Sequence, residues 1–267
     1  VLYIQAPTWV LNNSIPQAWF DEQRERDPVA FEREFGSVYS ADCAAFIDRE
    51  IAEQQVIPGR HELPPCESIQ YTACCDANAG GSDEFGLSIA HVEGDHIVID
   101  VVRGIRGGKP ADTVAEYAAL LKTYHVHSVK GDLFSGAWVR DEFLKCGIDY
   151  QPLEKNKSEI YLDFLPILMQ GRMELLDDRV CFNQLISLER RTSRIGRDVV
   201  CHPSVKGATD DRINVVAACA VEINDFETNA GALYLKSLCT PEGELRSFEN
   251  QMRWGTHYAR YGNHQGF

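Results

Sequence analysis

From Ser68 onward the apolar positions follow two rhythms in turn. The run Ile69-Gln70-Tyr71-Thr72-Ala73-Cys74-Cys75 ends on Asp76 and opens a glycine loop, Ala77-Asn78-Ala79-Gly80-Gly81. It predicts a first strand over 69–76. Residues 86–93 and 96–103 read as strands flanking Gly94-Asp95, a two-residue hairpin signal. Residues 110–124 change to helical spacing, with Val114, Tyr117, Ala118 and Leu121 on one face. A fourth strand over 126–131 ends at Asp132. A helix over 137–145 is stopped by Gly147, and a short fifth strand covers 148–152. Helices are predicted over 157–170, with Pro166 as a kink, and over 178–194. An edge strand at 199–201 and a helix over 210–224 complete the pattern.

The first 60 residues read differently. Trp19 and Phe20 lie on one side of a helical stretch, and Asp27-Pro28 is a helix start signal before Phe31 and Phe35. Residues 42–55 predict a further helix. Pro58-Gly59-Arg60 and Pro64-Pro65 read as a linker. The opening Val1-Leu2-Tyr3-Ile4, without a methionine, is expected to be part of a longer protein cut at a domain boundary.

An antiparallel hairpin trio followed by crossover connections makes a mixed sheet with helices on its faces. Strand one then lies beside strand four, so Asp76 and Asp132 end at the same sheet edge, where open α/β sheets bind ligands. The pair Asp210-Asp211 heads the last helix and would come across from one face. Converging carboxylates bind hard divalent cations such as Mg2+, which is the equipment of phosphodiester cleavage.

Composition narrows this further. The chain is 44% hydrophobic and 25% charged, ordinary for a globular protein. No apolar run approaches the roughly 18 residues of a membrane helix, and no signal-peptide pattern opens the chain. The nine cysteines show no C-x-x-C spacing, which argues against structural zinc and for buried thiols in a reducing cytoplasm. A formal net charge of -14 argues against a broad electrostatic grip on duplex DNA. It leaves room for local basic clusters: Arg103, Arg106 and Lys109; Lys155 and Lys157; Arg190, Arg191, Arg194 and Arg197.

The words around the acids resemble a family. Asp76-Ala-Asn-Ala-Gly-Gly-Ser-Asp83, Val129-Lys-Gly-Asp132-Leu-Phe-Ser-Gly-Ala-Trp138 and Thr209-Asp210-Asp211-Arg-Ile-Asn214 resemble the three acidic motifs of the large subunit of tailed-bacteriophage terminases. Lys157-Ser-Glu-Ile-Tyr161 and Leu188-Glu-Arg-Arg191 also resemble family words. Ala6-Pro-Thr-Trp9 and the stretch from Asp27-Pro28 to Gly36 resemble the end of the ATPase motor.

The resemblance implies an RNase H-like fold, here a five-stranded mixed sheet flanked by helices. It implies three parts: the end of the motor and a linker over 1–65, the nuclease domain over 66–230 and a tail over 231–267. The implied activity is endonucleolytic cutting of concatemeric double-stranded viral DNA during genome packaging in the host cytoplasm. The implied partners are DNA, the motor half of the same polypeptide, the portal protein and the small terminase subunit. Two Mg2+ or Mn2+ ions about 4 Å apart would be held by Asp76, shared between them, with Asp132 completing one site and Asp211 the other. Asp210 stands as an alternative ligand or a helix cap, and Asp83 as an auxiliary ligand. Lys157, Arg103, Arg106 and Lys109 are candidate phosphate contacts. His125 with His127, and His202, read as structural. Asp100 reads as a solvent-facing strand acid. Two other readings stay open: an RNase H-like resolvase or transposase, and a non-catalytic RNase H-like module that docks the motor to its partners.

Overall fold

The structure, a computed structural model, describes residues 6–12, 14–27, 31, 34–36, 43–77, 83–132, 137–192, 198–203 and 207–238. Chain contacts divide it into two units, 1–223 and 224–267. The elements in order are α1 (Thr8–Leu11), α2 (Gln17–Arg26), β1 (Cys43–Ala45), α3 (Arg49–Gln54), β2 (Thr72–Asp76), β3 (Glu84–Glu93) and β4 (His96–Arg106). They continue with α4 (Pro110–Thr123), β5 (Ser128–Gly131), α5 (Ala137–Lys145), β6 (Asp149–Pro152), α6 (Lys157–Met169) and β7 (Met173–Glu174). The last are α7 (Arg179–Ser187), β8 (Glu189–Thr192), β9 (Asp198–Cys201) and α8 (Asp211–Leu238).

The main sheet has the order β6-β5-β2-β3-β4-β7. β2, β3 and β4 pair antiparallel, whereas β5 runs parallel to β2 and β6 parallel to β5. This is the mixed RNase H-like arrangement, with six strands rather than five. The sixth, β7, is two residues long, too short to leave a period in the sequence, and exists by pairing with Ile97 and Val98.

Strand alternation sorts side chains to the two faces. Ala73 and Cys75 join Leu87, Ile89 and Val101 beneath α4 and α5, packed on Val114, Tyr117, Leu121, Val139 and Phe143. Cys74 faces the other way, into a core with Ile97, Ile99, Tyr161, Phe164, Val216 and Ala220. The α8 stripe Ile213, Val216, Ala217 and Ala220 has helical spacing and small residues, so that helix packs close against the sheet. The seven cysteines whose side chains are described are free thiols. No helix of the described residues is long and apolar enough to cross a membrane.

Three expectations are corrected. The helix expected over 42–55 is β1 followed by the shorter α3, because β1 pairs with β8. The helix expected over 178–194 ends at Ser187. Its charged continuation is β8, held between β1 and β9 and tied by the ion pair of Arg190 with Asp198. Asp100 is buried, not solvent-facing, and meets His91 Nδ1 at 2.7 Å. A register shift between Ile89 and Ala90 makes Asp100 an extra residue on β4 and inverts the alternation there.

Residues 57–63 lack regular structure but are fastened to the domain. Leu63 N–H donates to the Asp100 carbonyl, Tyr124 Oη to the Leu63 carbonyl, and Gly59 N–H to Asp177. The tail aromatics Trp254, Tyr258 and Tyr261, the glycines Gly80 and Gly81, and Arg194 and Arg197 lie outside the described residues.

Candidate active site

Cys75 of β2 lies opposite Gly131 of β5, so Asp76 and Asp132 follow side by side at the ends of two parallel strands. On its other flank Asp76 pairs with Gly86 of β3. That glycine decides how the third acid arrives. A Cβ on Gly86 would lie 2.8 Å from the Asp211 main-chain oxygen and 3.2 Å from a Val215 methyl. The missing side chain is the seat of the α8 N-terminus, and it brings Asp211 over the end of β2.

The start of α8 is capped from a distance. Gln184 Oε1, on α7, accepts the N–H groups of Arg212 and Ile213 at 3.0 and 3.1 Å, and its Nε2 donates to Thr209 Oγ1. These N–H groups have no partner within the helix. Gln184→Ala is expected to cost about 1–2 kcal/mol in thermal or denaturant unfolding, as loss of a helix cap does. An unchanged midpoint would show that the cap is dispensable.

An open polar cleft of about 300 Å³ is lined by Asp76, Asp83, Glu84, Lys157, His202, Thr209, Asp210 and Asp211, among others. Asp76 accepts from Asn214 Nδ2 at 2.7 Å. Burial pushes its carboxyl above the ordinary range. The Asn214 bond and the Lys157 charge oppose the rise, and the charges of Asp132 and Asp210 add to it. Asp211 Oδ2 accepts the Glu84 N–H at 2.9 Å. Its carboxyl is raised to about 6, first by burial and then by Asp76, Asp83 and Asp210, against the Glu84 hydrogen bond.

Asp210 is almost fully buried and differently engaged. Its Oδ1 accepts from Lys157 Nζ at 2.7 Å and its Oδ2 from Tyr161 Oη at 3.1 Å. Beside it, Arg212 bridges Glu84 and Asp178, both at 2.8 Å. Gly104 leaves the room for this bridge, since a Cβ there would lie 2.1 Å from Glu84 Oε2.

Asp76, Asp83, Asp210, Asp211 and Lys157 are thus brought to one cleft. Asp132 is exposed, with its carbonyl accepting from Tyr150 Oη at 2.8 Å; it is not among the lining residues, but its charge acts on Asp76. Arg103 is bound to Glu62, and Arg106 and Lys109 are exposed at and beyond the end of β4. None of these three is among the described lining residues. His125 and His127 lie before β5, not on one strand face, and His125 has φ 56. His202 does line the cleft. Gly86, Glu84, Gln184, Arg212 and Asn214 carry site geometry that sequence reading left without a role. The one signal was the placement of Asn214 three residues after Asp211, on the same helix face.

The donor set fits hard divalent cations: it is rich in carboxylate oxygens, and neighbouring charges raise one another's proton affinity. Among the described residues no three His, Cys, Asp or Glu side chains are placed to hold a metal ion together. Asp76, Asp210 and Asp211 are instead turned to Asn214, Lys157 with Tyr161, and the Glu84 N–H.

A mixed sheet with acids at the ends of two parallel strands, and a helix bringing a further acidic pair, is the arrangement of the RNase H-like fold. Solved structures narrow the fold to that of phage large terminase nucleases. The large terminase nuclease from thermophilic phage G20c with bound magnesium matches with a TM-score of 0.55 and 18% identity, over 63% of this chain and 93% of that one. The large terminase from a second thermophilic bacteriophage matches with a TM-score of 0.60 and 11% identity, over 78% and 51%. The large terminase of bacteriophage HK97 gives 0.54 and 13%, over 77% and 50%. The match therefore spans about half the length of the two larger chains. No family model and no curated protein sequence matches.

Proposed function

We propose that this chain carries the metal-dependent endonuclease of a phage DNA-packaging terminase. The substrate would be concatemeric double-stranded DNA, cut by hydrolysis of a phosphodiester bond. The observation that carries the reading is the convergence of Asp76, Asp211 and Asp83 on one polar cleft, with Asp132 beside Asp76, in a fold shared with terminase nucleases. Asp76, Asp132 and Asp211 would hold two Mg2+ or Mn2+ ions, with Asp83 in support. Bound there, the ions would supply an activated water and neutralise charge on the leaving 3' oxygen.

The protein's own part is placement. Asn214 orients the Asp76 carboxylate, and the Glu84 N–H fixes one oxygen of Asp211. Gly86 sets the gap between the two. Arg212 holds Glu84, so the main chain that donates to Asp211 is itself braced.

The motor half of the polypeptide, the portal protein and the small terminase subunit belong to this reading as partners, acting in the host cytoplasm. So do residues 1–65 as the end of the motor and its linker, with 66–230 as the nuclease and 231–267 as the tail. A net charge of -14 predicts weak affinity of the isolated chain for duplex DNA, hence slow cutting that falls further with salt.

The test is nicking of supercoiled plasmid by the purified chain. Cutting is expected with Mg2+ or Mn2+ and none with chelator. Absence of cutting with either ion would overturn the reading. Preference for branched DNA, or strand-transfer products, would move it to a resolvase or transposase. Calorimetry without a divalent-ion signal would leave a docking module.

A further inference from the structure

Lys157 and Asp210 form a unit that the metal chemistry leaves unexplained. Asp210 is 3% exposed at its side chain and has both oxygens occupied, one by Lys157 and one by Tyr161. A cation taken up by this carboxylate would sit against the charge of the ammonium 2.7 Å away, on a side chain with almost no exposed surface. Asp211, by contrast, is half-buried, lines the same cleft and has one oxygen held by the Glu84 N–H.

Lys157 is 42% exposed and is the one lysine or arginine among the described lining residues. An ammonium has three N–H donors, and Asp210 takes one of them. Lys157 is not needed to start its own helix: α6 begins with a complete capping box, in which Asn156 accepts the Glu159 N–H and Glu159 accepts the Asn156 N–H. A cleft lined by four aspartates and Glu84 repels a polyanion, and Lys157 is the fixed positive charge that opposes this. A lysine stem is flexible, and its rotamer freedom is lost at a cost. A buried carboxylate backed by the Tyr161 hydroxyl offsets that cost and holds the ammonium at the cleft.

We infer that Lys157 is the phosphate-contacting side chain of this cleft, and that Asp210, with Tyr161 behind it, is a positioning residue for that ammonium rather than a holder of metal. The inference rests on the nuclease reading and deepens it.

The test pairs two measurements on the full 267-residue chain: Mn2+ affinity by titration calorimetry, and kcat and KM for plasmid nicking. Lys157→Met is expected to lower kcat/KM by about 10²-fold, the order seen when a charge-stabilising donor is removed, with Mn2+ affinity kept or tightened. Lys157→Arg is expected to recover at least a roughly tenfold part of the loss, since it restores the charge. Asp210→Asn should match the loss of Lys157→Met and keep Mn2+ affinity. The double variant should be no worse than Lys157→Met alone, because each change removes the same unit. Tyr161→Phe should fall between wild type and Asp210→Asn in kcat/KM. A fall in Mn2+ affinity in Asp210→Asn as large as that in Asp211→Asn overturns the inference. So does undiminished nicking by Lys157→Met, with the nuclease reading left standing. A wild-type chain that neither binds Mn2+ nor nicks removes the nuclease reading itself, and the inference with it.

Discussion

Asp76→Asn is expected to lower plasmid nicking by roughly three orders of magnitude, since a metal ion supplies several kcal/mol of transition-state stabilisation and each 1.36 kcal/mol is tenfold. The same change should leave the metal-free protein more stable than wild type at pH 8. The Asp76 carboxyl is raised in the folded state by burial, so the folded chain binds its proton more tightly than the unfolded chain does. The unfolded value is about 3.9. Stability from this group is therefore present at low pH and is lost as pH rises through the raised folded value. Above that value an ionised carboxylate sits next to Asp132 and Asp210 and disfavours the fold. An amide removes the charge and still accepts from Asn214. In chelator, the melting temperature of Asp76→Asn should exceed that of wild type at pH 8, and the gap should shrink toward pH 4. Nicking within about tenfold of wild type would exclude Asp76 as the shared acid. A lower melting temperature at pH 8 would mean that the carboxylate is structural.

Gly86→Ala should damage folding and cutting together. The added methyl meets the Asp211 carbonyl at 2.8 Å and both Val215 methyls at 3.2 and 3.4 Å. The first contact is main chain and cannot rotate away, so α8 must lift from β3. Overpacking of this kind costs about 1–3 kcal/mol. The lift also moves Asp211 relative to Asp76, and a misplacement near 1 Å can cost about 10²-fold in rate. The signature is a lowered unfolding midpoint with Mn2+ affinity and nicking both reduced. Normal nicking would mean that the Asp76–Asp211 gap is not set by this contact.

The centre of the fold was legible because its signals are local. Period-two runs, Gly94-Asp95 and the helical face Val114-Tyr117-Leu121 each declare an element within a dozen residues. The acids Asp76 and Asp132 then follow from topology alone. What was hidden depends on partners distant in sequence. β8 has a charged sequence that continues an amphipathic helix without a break, and it is a strand because β1 and β9 lie on either side. Gln184 caps the helix start from a position 28 residues before Arg212, so no capping motif marks it. Gly86 reads as an ordinary strand residue, and its value is the space it leaves. Asp100 was misplaced because a bulge breaks the alternation by one residue.

The site shows the same division. Asp83, Asp210, Asp211 and Lys157 were named from sequence, and the structure brings them to one cleft beside Asp76. The distinction between Asp210 and Asp211 needed three dimensions. Neighbouring residues at a helix start point about 100° apart, and only the surroundings tell which faces a tyrosine and which a cleft.

β1 has a bearing on how this protein is trimmed. It covers the outer edge of β8, and the Phe46 N–H continues the pairing to the Leu188 carbonyl. A chain shortened to begin at residue 66 would bare that edge as a row of unpaired donors and acceptors, next to the hole left by Phe46, Ile47 and Ala52. Such an edge is a template for another molecule's strand. The shortened protein would then be prone to self-association, and a weak yield of soluble material would reflect the cut rather than the stability of the remaining fold.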